Sequence, residues 1–520
     1  MLTTNFPVIL GGSANVACLE FENLARLGTY PRLRFEGRSY SNVEELHYTG
    51  KLAFALRKRG IVPGDRVMVV MPNTPDLTAS LQAIWMIGAV VVPIMPYWTV
   101  AEISYALLHS QAIAVLTLPS LAPRVHEACR GFEYARHLLS FGATECGFAD
   151  LYPAVEQASC IDAPVDRSPR DLAMLLYTSG TSGKPKGVMV THENIVAAVE
   201  SANAMNPDLP RYPMLHVLPL THAFGLIMLK LAQRWGSPCV LMTQFDAVRV
   251  FRAIEQHQIG YMPAVPTMLV HLLHHPERTK FNCSSLYRIT SGGAPLPEKL
   301  RQDFQQAFGC RVDQGYGMSE SVAVATAYDD HEPYRPGSVG RAEPGIRIRI
   351  VDDKNRTLPP LQTGEICLSG ANITSGYWQD QIATQEAFHD GWFHTGDLGH
   401  RGADGYLHIT DRKKDLIIKG GENISPSEIE EALYLHPAVA EAAVIGIPDN
   451  VFGEEICAVI QLKRGIEASG DEIRHHLAQH VTKFKIPRHV VFQPALPKNA
   501  VGKILKRTIR EQLATAGVAA

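Results

Sequence analysis

Short runs of β-branched residues alternate with longer apolar stretches over the first three hundred residues of the chain. Residues 67–70 and 89–93 have the composition of buried strands, and residues 77–86 between them have a helical pattern. A strand, a helix and a second strand in this order form a βαβ unit, in which the two strands are parallel. The same order returns between residues 214 and 262, so the pattern predicts a large α/β region with parallel sheets.

The pattern changes in the last third of the chain. Residues 347–351 and 365–368 alternate between apolar and polar positions, with turns rich in Gly and Pro between them, which predicts a small β-rich lobe. A charged run at residues 411–415 then precedes further strands and helices. We therefore predict a large N-terminal domain over residues 1–411 and a smaller α+β domain over residues 412–520.

One helix start is marked within this smaller domain. Residues 425–428 read Ser-Pro-Ser-Glu, which is the sequence of a capping box with proline at the first helical position. The sequence therefore predicts that a helix begins here and that the side chain of Ser425 caps it.

Composition and charge restrict the classes of function. The chain has 520 residues, of which 46% are hydrophobic and 19% charged, and its formal net charge is −3, as expected for a globular protein of more than one folding unit. Without a surplus of basic residues, neither nucleic acid nor an anionic membrane is an expected partner. The nine cysteines include no C-x-x-C pair, and no targeting signal is visible, so we expect a cytoplasmic protein.

The most apolar stretch of the chain is too short and too broken to cross a bilayer. It covers residues 81–97 and is interrupted by Gln82, Gly88 and Pro93. We expect a buried helix that runs into a strand, and no transmembrane segment.

The strongest chemical signal is a loop at residues 177–187, which reads Tyr-Thr-Ser-Gly-Thr-Ser-Gly-Lys-Pro-Lys-Gly. Glycines let backbone N–H groups turn towards an anion, and hydroxyls and lysines add donors and positive charge, so the loop suits a polyphosphate. It is not a Walker A loop, because only two residues separate its glycines and Pro follows Lys184. The candidate phosphate ligands are Thr178, Ser179, Gly180, Thr181, Ser182, Gly183 and Lys184.

This loop resembles the phosphate loop of the adenylate-forming superfamily, which includes acyl-CoA synthetases, coumarate and benzoate ligases, luciferases and the adenylation domains of peptide synthetases. Further motifs that resemble those of the superfamily follow in order over about residues 170–507. The turn at Gly293, Ala294 and Pro295 resembles the one that lies along adenine.

The run at residues 314–320 resembles the next motif of the superfamily, in which the tyrosine stacks on adenine and the glutamate helps to hold Mg²⁺. The resemblance therefore assigns the nucleotide to Gly315, Tyr316, Gly317, Met318 and Ser319, and the metal to Glu320. The superfamily usually has Thr at the position of Ser319, and the retained hydroxyl keeps the expected phosphate contact.

Three more motifs complete the resemblance. Asp397 stands where the superfamily binds ribose, Arg412 stands near ribose and phosphate, and Lys414 stands at the hinge. Lys503 stands where a lysine completes the adenylation site, and it is the first catalytic candidate.

The resemblance implies an AMP-forming acid–CoA ligase that uses ATP, Mg²⁺ and coenzyme A. A carboxylate would attack the α-phosphate of ATP and release pyrophosphate, and the thiol of CoA would then displace AMP. The small domain is expected to be mobile and to rotate between the two steps, withdrawing Lys503 and bringing Gly420 and Gly421 to the pantetheine channel. Lys485 and Arg488 are weaker candidates to bind CoA phosphates.

The acid itself is implied by a second set of positions. His222 would line or gate the carboxylate end of the pocket, and this is its expected catalytic role. The expected wall residues are Ala223, Phe224, Val322 and Ala323, together with the glycines of the tyrosine motif; all are apolar or small, so an apolar acid is implied. The motif style is closest to that of medium- and long-chain fatty acyl-CoA ligases, and an aromatic acid stays open.

Several alternatives share these motifs. A fatty acyl-AMP ligase would not use CoA, and a non-catalytic binding protein would keep the fold without the chemistry, although Glu320, Asp397 and Lys503 argue against it. An amino-acid-activating domain would need an acidic anchor near His222; the nearest carboxylate downstream, Asp246, is better explained as a helix N-cap. A luciferase-type oxygenase is supported only by the fold.

Overall fold

The computed structural model describes residues 15–178, 185–498 and 502–516. Its first sheet lies near the N-terminus and is parallel apart from one antiparallel hairpin at its edge. The predicted βαβ unit is confirmed, because the strands Arg66–Val70 and Val90–Ile94 pair in parallel and the helix Pro75–Met86 connects them. In spatial order the strands are Ala149–Asp150, His137–Ser140, Ala114–Thr117, Arg66–Val70, Val90–Ile94, Leu172–Thr178 and Lys186–Thr191.

The second sheet repeats this plan, with one antiparallel pair at its edge. Its strands Arg288–Ser291 and Arg311–Gln314 end at the cavity described below. In spatial order the strands of this sheet are Arg311–Gln314, Arg288–Ser291, Tyr261–Ala264, Met214–His216, Cys239–Leu241, Pro31–Phe35 and Arg38–Ser41.

Helices cover both sheets and begin where short polar side chains cap them. Thr74 accepts a hydrogen bond from Leu77 N, and Pro75 occupies the first helical turn. Asp246 caps the helix Ala247–His257, as predicted. The helices up to residue 387 are Cys18–Leu27, Asn42–Lys58, Pro75–Met86, Val100–Ser110, Ala122–Cys129, Leu151–Glu156, His192–Met205, Ala223–Trp235, Ala247–His257, Pro266–Leu273, Glu298–Phe308 and Gln381–Ala387.

The predicted helix from residue 77 is buried at the centre of the largest apolar core. Its Trp85 is fully buried, and the indole Nε1 donates to the carbonyl oxygen of Ala173 at 2.9 Å. Across the described ranges, the structure contains no helix with the length and apolarity needed to cross a bilayer.

The predicted β-rich lobe is an antiparallel sheet. Its strand Leu407–Arg412 pairs with the long strand Trp392–Arg401. The chain leaves the lobe at the end of Leu407–Arg412. The predicted boundary at residue 411 falls at the end of this strand, and the division into two domains stays a prediction. The other strands of the lobe are Arg347–Val351, Gly364–Ser369 and Phe388–His389, and a separate pair consists of Thr326–Ala327 and Arg341–Ala342.

The remaining chain forms a mixed sheet with helices on its faces. The hairpin of Ile417–Lys419 and Glu422–Ile424 turns at Gly420 and Gly421, which both have positive φ. The other strands are Val439–Asp449, Gly453–Leu462 and His489–Phe492, and the helices are Pro426–Tyr434, Gly470–Leu477 and Lys506–Thr515.

The helix Pro426–Tyr434 begins where the sequence predicts, but the expected capping box is not formed. Ser425 makes no side-chain cap. Instead, Oδ2 of Asp411 accepts hydrogen bonds from Ser427 N at 3.0 Å and from the Ser425 hydroxyl at 2.6 Å, because the end of the β-rich lobe lies against this helix terminus. Glu428 turns outwards and pairs with Lys485.

Replacing the capping carboxylate tests this correction. Asp411→Ala is expected to cost the helix about 1 kcal/mol, because the first-turn amide of Ser427 loses its acceptor. Hydrogen exchange of the peptide covering residues 425–434 should accelerate in Asp411→Ala and change less in Ser425→Ala. Equal protection in Asp411→Ala and the unmodified chain would contradict the cap.

Candidate active site

A cavity, partly open to solvent, lies at the carboxyl ends of the strands Arg288–Ser291 and Arg311–Gln314. Ligands of α/β folds bind at this edge of a parallel sheet. Motif residues predicted from the sequence line it from several directions: His222, Phe224, Gly293, Gly315, Tyr316, Gly317, Met318 and Ala323.

A buried carboxylate, Asp397, connects the cavity to the strand that leads out of the β-rich lobe. Asp397 and Arg412 are directly opposite in neighbouring antiparallel strands, and Arg412 Nε lies 3.0 Å from Asp397 Oδ1. The Tyr316 hydroxyl donates to Asp397 Oδ2 at 2.7 Å. A carboxylate offers about four acceptor positions, so this one has capacity left for sugar hydroxyls.

Tyr316 stays protonated beside this carboxylate. Burial, and next the negative charge of Asp397, raises the pKa of the Tyr316 hydroxyl well above its ordinary value. The ring is therefore a neutral hydrogen-bond donor that stays fixed at the cavity wall.

Lys503 lies close enough to Asp397 and Arg412 for both charges to act on its pKa. Burial, and next the charge of Arg412, lowers the pKa of Lys503 to about 8, while Asp397 and Asp415 oppose the shift. Its neighbour Gly502 has φ +73°, and a Cβ there would lie 2.2 Å from Thr267 Oγ1 and 3.3 Å from Val265 Cγ2. The approach of this segment to the cavity therefore requires glycine before the lysine.

Glu320 is a buried carboxylate beside the cavity wall. Only 8% of the residue is exposed, and Oε1 accepts from the Tyr377 hydroxyl at 2.9 Å. Burial raises the pKa of Glu320. One hard oxygen donor suits Mg²⁺, which keeps waters and substrate phosphates as its other ligands. Within the described part of the chain, no three His, Cys, Asp or Glu residues form a closed metal site.

His222 caps the helix Ala223–Trp235 from the cavity wall. Its Nδ1 accepts from Phe224 N at 3.3 Å, so the ring proton lies on Nε2. Burial lowers the pKa of His222 to about 4. The imidazole is therefore neutral at physiological pH and offers one N–H donor.

Gly317 has a packing role that the sequence alone did not indicate. A Cβ at this position would lie 2.0 Å from the carbonyl oxygen of Ala323. The close passage of two backbone segments therefore requires glycine, in addition to any space that it leaves for a substrate.

Two expected wall residues are not at the cavity. Ala223 and Val322 are 1% and 0% exposed, and both pack into the main core. Ala223 is the first residue of the helix that His222 caps. Val322 and Ala323 both have left-handed backbone conformations, which turn the chain after the motif at residues 314–320. Among the described lining residues, Phe224, Ala323 and Val324 are present instead.

The remaining predicted positions divide into three groups. Thr178 ends the strand Leu172–Thr178, whereas Ser179, Gly180, Thr181, Ser182, Gly183 and Lys184 lie outside the described residues. In the second group, Ala294 and Pro295 directly follow Gly293. Ser319 follows Met318 and begins the short helix Ser319–Ser321.

The third group lies on the surface of the last region. Lys414 is an exposed residue of the turn Lys413–Asp415, and Gly420 and Gly421 are exposed at their hairpin turn. Lys485 pairs with Glu428 at 2.6 Å, and Arg488 lies 3.4 Å from Asp449.

Three residues outside the recognised motifs contribute to the site. Tyr377 donates to Glu320, Thr267 contacts the segment that carries Lys503, and Glu343 lines the cavity. Their roles depend on contacts between distant parts of the chain, so no local pattern marks them.

Comparison with known proteins identifies the family. Residues 21–378 match the family model of the AMP-binding enzymes, and residues 428–503 match the AMP-binding enzyme C-terminal domain. The chain is 33% identical over 521 residues to a long-chain-fatty-acid–CoA ligase of Bacillus subtilis (strain 168), with coverage of 94% of this chain and 93% of that protein. It is 36% identical over 482 residues to a feruloyl-CoA synthase of an Amycolatopsis species, with coverage of 92% and 95%.

A solved structure supports the same assignment. The ATP-bound crystal structure of MatB from Rhodopseudomonas palustris superimposes with a TM-score of 0.89 at 30% identity, covering 96% of this chain and 99% of that one. The chain therefore belongs to the AMP-binding enzyme family and is of the acyl-CoA synthetase type.

Proposed function

We propose that this enzyme activates an apolar carboxylic acid with ATP and transfers the acyl group to coenzyme A. The observation that carries the proposal is the joint position of Lys503, Arg412, Asp397 and Tyr316 around one wall of the cavity, whose other walls include His222 and Phe224. An anionic nucleotide and a carboxylic acid can then meet in one place.

In the first step a carboxylate oxygen bonds to the α-phosphorus of ATP, and the bond from that phosphorus to the bridging oxygen breaks, releasing pyrophosphate. Asp397 accepts the ribose hydroxyls, and Tyr316 and the glycine turns hold the adenine. Lys503 and Arg412 bring positive charge to the reacting phosphate and carboxylate oxygens. The main contribution of these residues is positioning and charge neutralisation.

Glu320 would hold Mg²⁺ together with the phosphates of ATP, and that ion would supply further neutralisation of phosphate charge. His222 has a different role, because it is neutral. It donates its Nε2–H to the carboxylate of the acid and so orients the nucleophile without adding charge.

In the second step the sulfur of CoA bonds to the acyl carbon, the bond from that carbon to the AMP oxygen breaks, and the thiol proton passes to solvent. The exposed Gly420 and Gly421 are then required at the cavity, so the last region must turn about Lys414. The residues that would line a pantetheine arm there have no Cβ, which suits a narrow channel.

The acid is the finer part of the proposal. Phe224, Met228 and Leu231 provide an apolar wall, which a medium fatty chain or an aromatic ring would satisfy. Polar side chains also line the cavity, among them Asn206 and Glu343. A long unbranched chain would cover the Glu343 carboxyl group without giving it a partner, so the lining favours a compact acid over a long-chain one.

The test is pyrophosphate release with ATP and Mg²⁺ over a panel of fatty, aromatic and amino acids, with and without CoA. Release that leads to acyl-CoA would support the ligase. Release without thioester would instead identify an acyl-AMP ligase, and no release with any acid would contradict catalysis.

The proposed charge on Lys503 predicts a pH dependence. Its lowered pKa of about 8 means that the free enzyme loses this cation as the pH rises through about 8, whereas an unperturbed lysine would stay protonated to about 10. The kcat/KM for ATP in the first step should therefore fall about tenfold per pH unit above that point. Thioester formation from supplied acyl-AMP is the control, and a flat profile for both steps up to pH 10 would contradict the role.

The contact of Gly502 with Thr267 predicts a selective defect. Gly502→Ala should reduce the rate of adenylation by at least about tenfold, because the added Cβ displaces the segment that carries Lys503. The matched control is Gly465→Ala, since Gly465 has a similar φ of +77° and no atom within 4 Å of the added Cβ. Equal rates for Gly502→Ala and Gly465→Ala would show that this contact does not position the lysine.

A further inference from the structure

Glu343 is a buried carboxyl group in the cavity wall that the mechanism above does not use. Only 5% of the residue is exposed, and its Oε2 has no hydrogen-bond partner among the described residues. An unpartnered buried polar atom is costly, so a group in this position calls for a ligand.

Most of the other polar side chains that line the cavity are already engaged by the protein, although the Ser291 hydroxyl also lacks a hydrogen-bond partner among the described residues. Asn206 donates to the carbonyl oxygen of Ala202 and accepts from Arg288. Arg288 also pairs with Asp313 at 2.8 Å and with Asp330. Thr290 accepts from the Tyr261 hydroxyl at 3.0 Å. Glu343 therefore has free hydrogen-bonding capacity where Asn206, Arg288 and Thr290 have little.

No positive charge in the described structure is paired with Glu343. The nearby guanidinium of Arg288 is neutralised by its two aspartates, and burial raises the pKa of Glu343 to about 8. At neutral pH this carboxyl group is therefore mostly protonated, and it can both donate and accept a hydrogen bond.

The backbone around Glu343 is fixed on both sides. Its N–H donates to the carbonyl oxygen of Ala325 at 3.1 Å, and the carbonyl oxygen of Pro344 accepts from the Ser201 hydroxyl at 2.7 Å. The backbone at Glu343 is thus held in place before any substrate binds, as a specificity contact requires. The Ser201 side chain also interacts with the carboxyl group and opposes the rise in its pKa.

Glu343 lies at the end of the cavity remote from His222. The cavity follows the helix Ala223–Trp235 from Phe224 to Leu231, a rise of about 10 Å. The last turn of this helix packs beside residues 200–203, because Arg234 pairs with Glu200 and Trp235 Nε1 donates to Asn203. Ser201, which contacts the Glu343 segment, belongs to that same end.

We propose that Glu343 hydrogen-bonds an uncharged polar substituent, such as a hydroxyl group, on the acid at the end remote from its carboxylate. This inference rests on the proposed ligase function and adds the class of acid: a compact apolar body with a polar tip about 10 Å from the carboxylate. An apolar tip would leave the carboxyl group unpartnered and would be rejected, as sites built to bind a hydroxyl reject analogues that lack it.

Two pairs of acids test the proposal in the intact enzyme. One pair is 3-(4-hydroxyphenyl)propanoic acid and 3-phenylpropanoic acid, and the other is 8-hydroxyoctanoic acid and octanoic acid. The readout is kcat/KM for ATP-dependent acyl-CoA formation. The unmodified enzyme should prefer the hydroxylated member of at least one pair by at least about tenfold.

Variants of Glu343 separate recognition from folding. Glu343→Gln keeps a neutral donor and acceptor and should keep the preference. Glu343→Val should lose it, mainly by a higher KM for the hydroxylated acid, while activity with the unsubstituted acid is retained or rises. Unchanged ATP affinity in both variants confirms that they are folded.

The outcomes distinguish this inference from the ligase function. Turnover of the acids with no hydroxyl preference, or a preference that survives Glu343→Val, would overturn the inference and leave the ligase in place. Selective activation of an acid with a distal ammonium group would overturn the neutral carboxyl. Failure of every acid to release pyrophosphate would instead count against the proposed function.

Discussion

The arrangement of the site depends on one desolvated negative charge, that of Asp397. A buried carboxylate is stable only when it is paired and hydrogen-bonded, and here the partners come from separate parts of the chain. Tyr316 approaches from the second sheet, and Arg412 from the strand that leaves the β-rich lobe. The carboxylate thus fixes the position of both, and its charge also acts on Lys503. A nucleotide would be received by groups that are already oriented, which reduces the reorganisation needed on binding.

Close contacts at glycines form the second constraint. Gly317 lies against Ala323, and Gly502 lies against Thr267 and Val265. Val265 also lies 3.7 Å from the Cβ position of Gly293, so one side chain separates the turn at Gly293 from the segment that carries Lys503. A Cβ at Gly317 or Gly502 would displace the neighbouring segment. The geometry of the site therefore depends on the absence of a side chain at these two positions.

The parts of this structure that follow local rules could be predicted from the sequence. The helix Pro75–Met86 and its parallel flanking strands follow from periodicity and from capping. The roles of Asp397 and Lys503 come from motif resemblance and stay predictions. The errors have a common cause. Ser425 has the right sequence to cap its own helix, but a carboxylate from another strand is better placed. Tyr377 and Glu320 are 57 residues apart in the chain. The segment of Glu343 contacts Ser201, which belongs to the distant helix His192–Met205. Neither contact is marked by a local sequence pattern.

The cap supplied by Asp411 couples the start of a helix to the position of the last region. Asp411 belongs to the strand that ends the β-rich lobe, whereas Ser427 belongs to the helix beyond Lys414. A turn of the last region about Lys414 would pull the helix terminus away from its acceptor and expose unpaired N–H groups. If the last region turns as proposed, both hydrogen bonds to Asp411 must break, so they stabilise the arrangement in which Lys503 lies near Asp397 and Arg412.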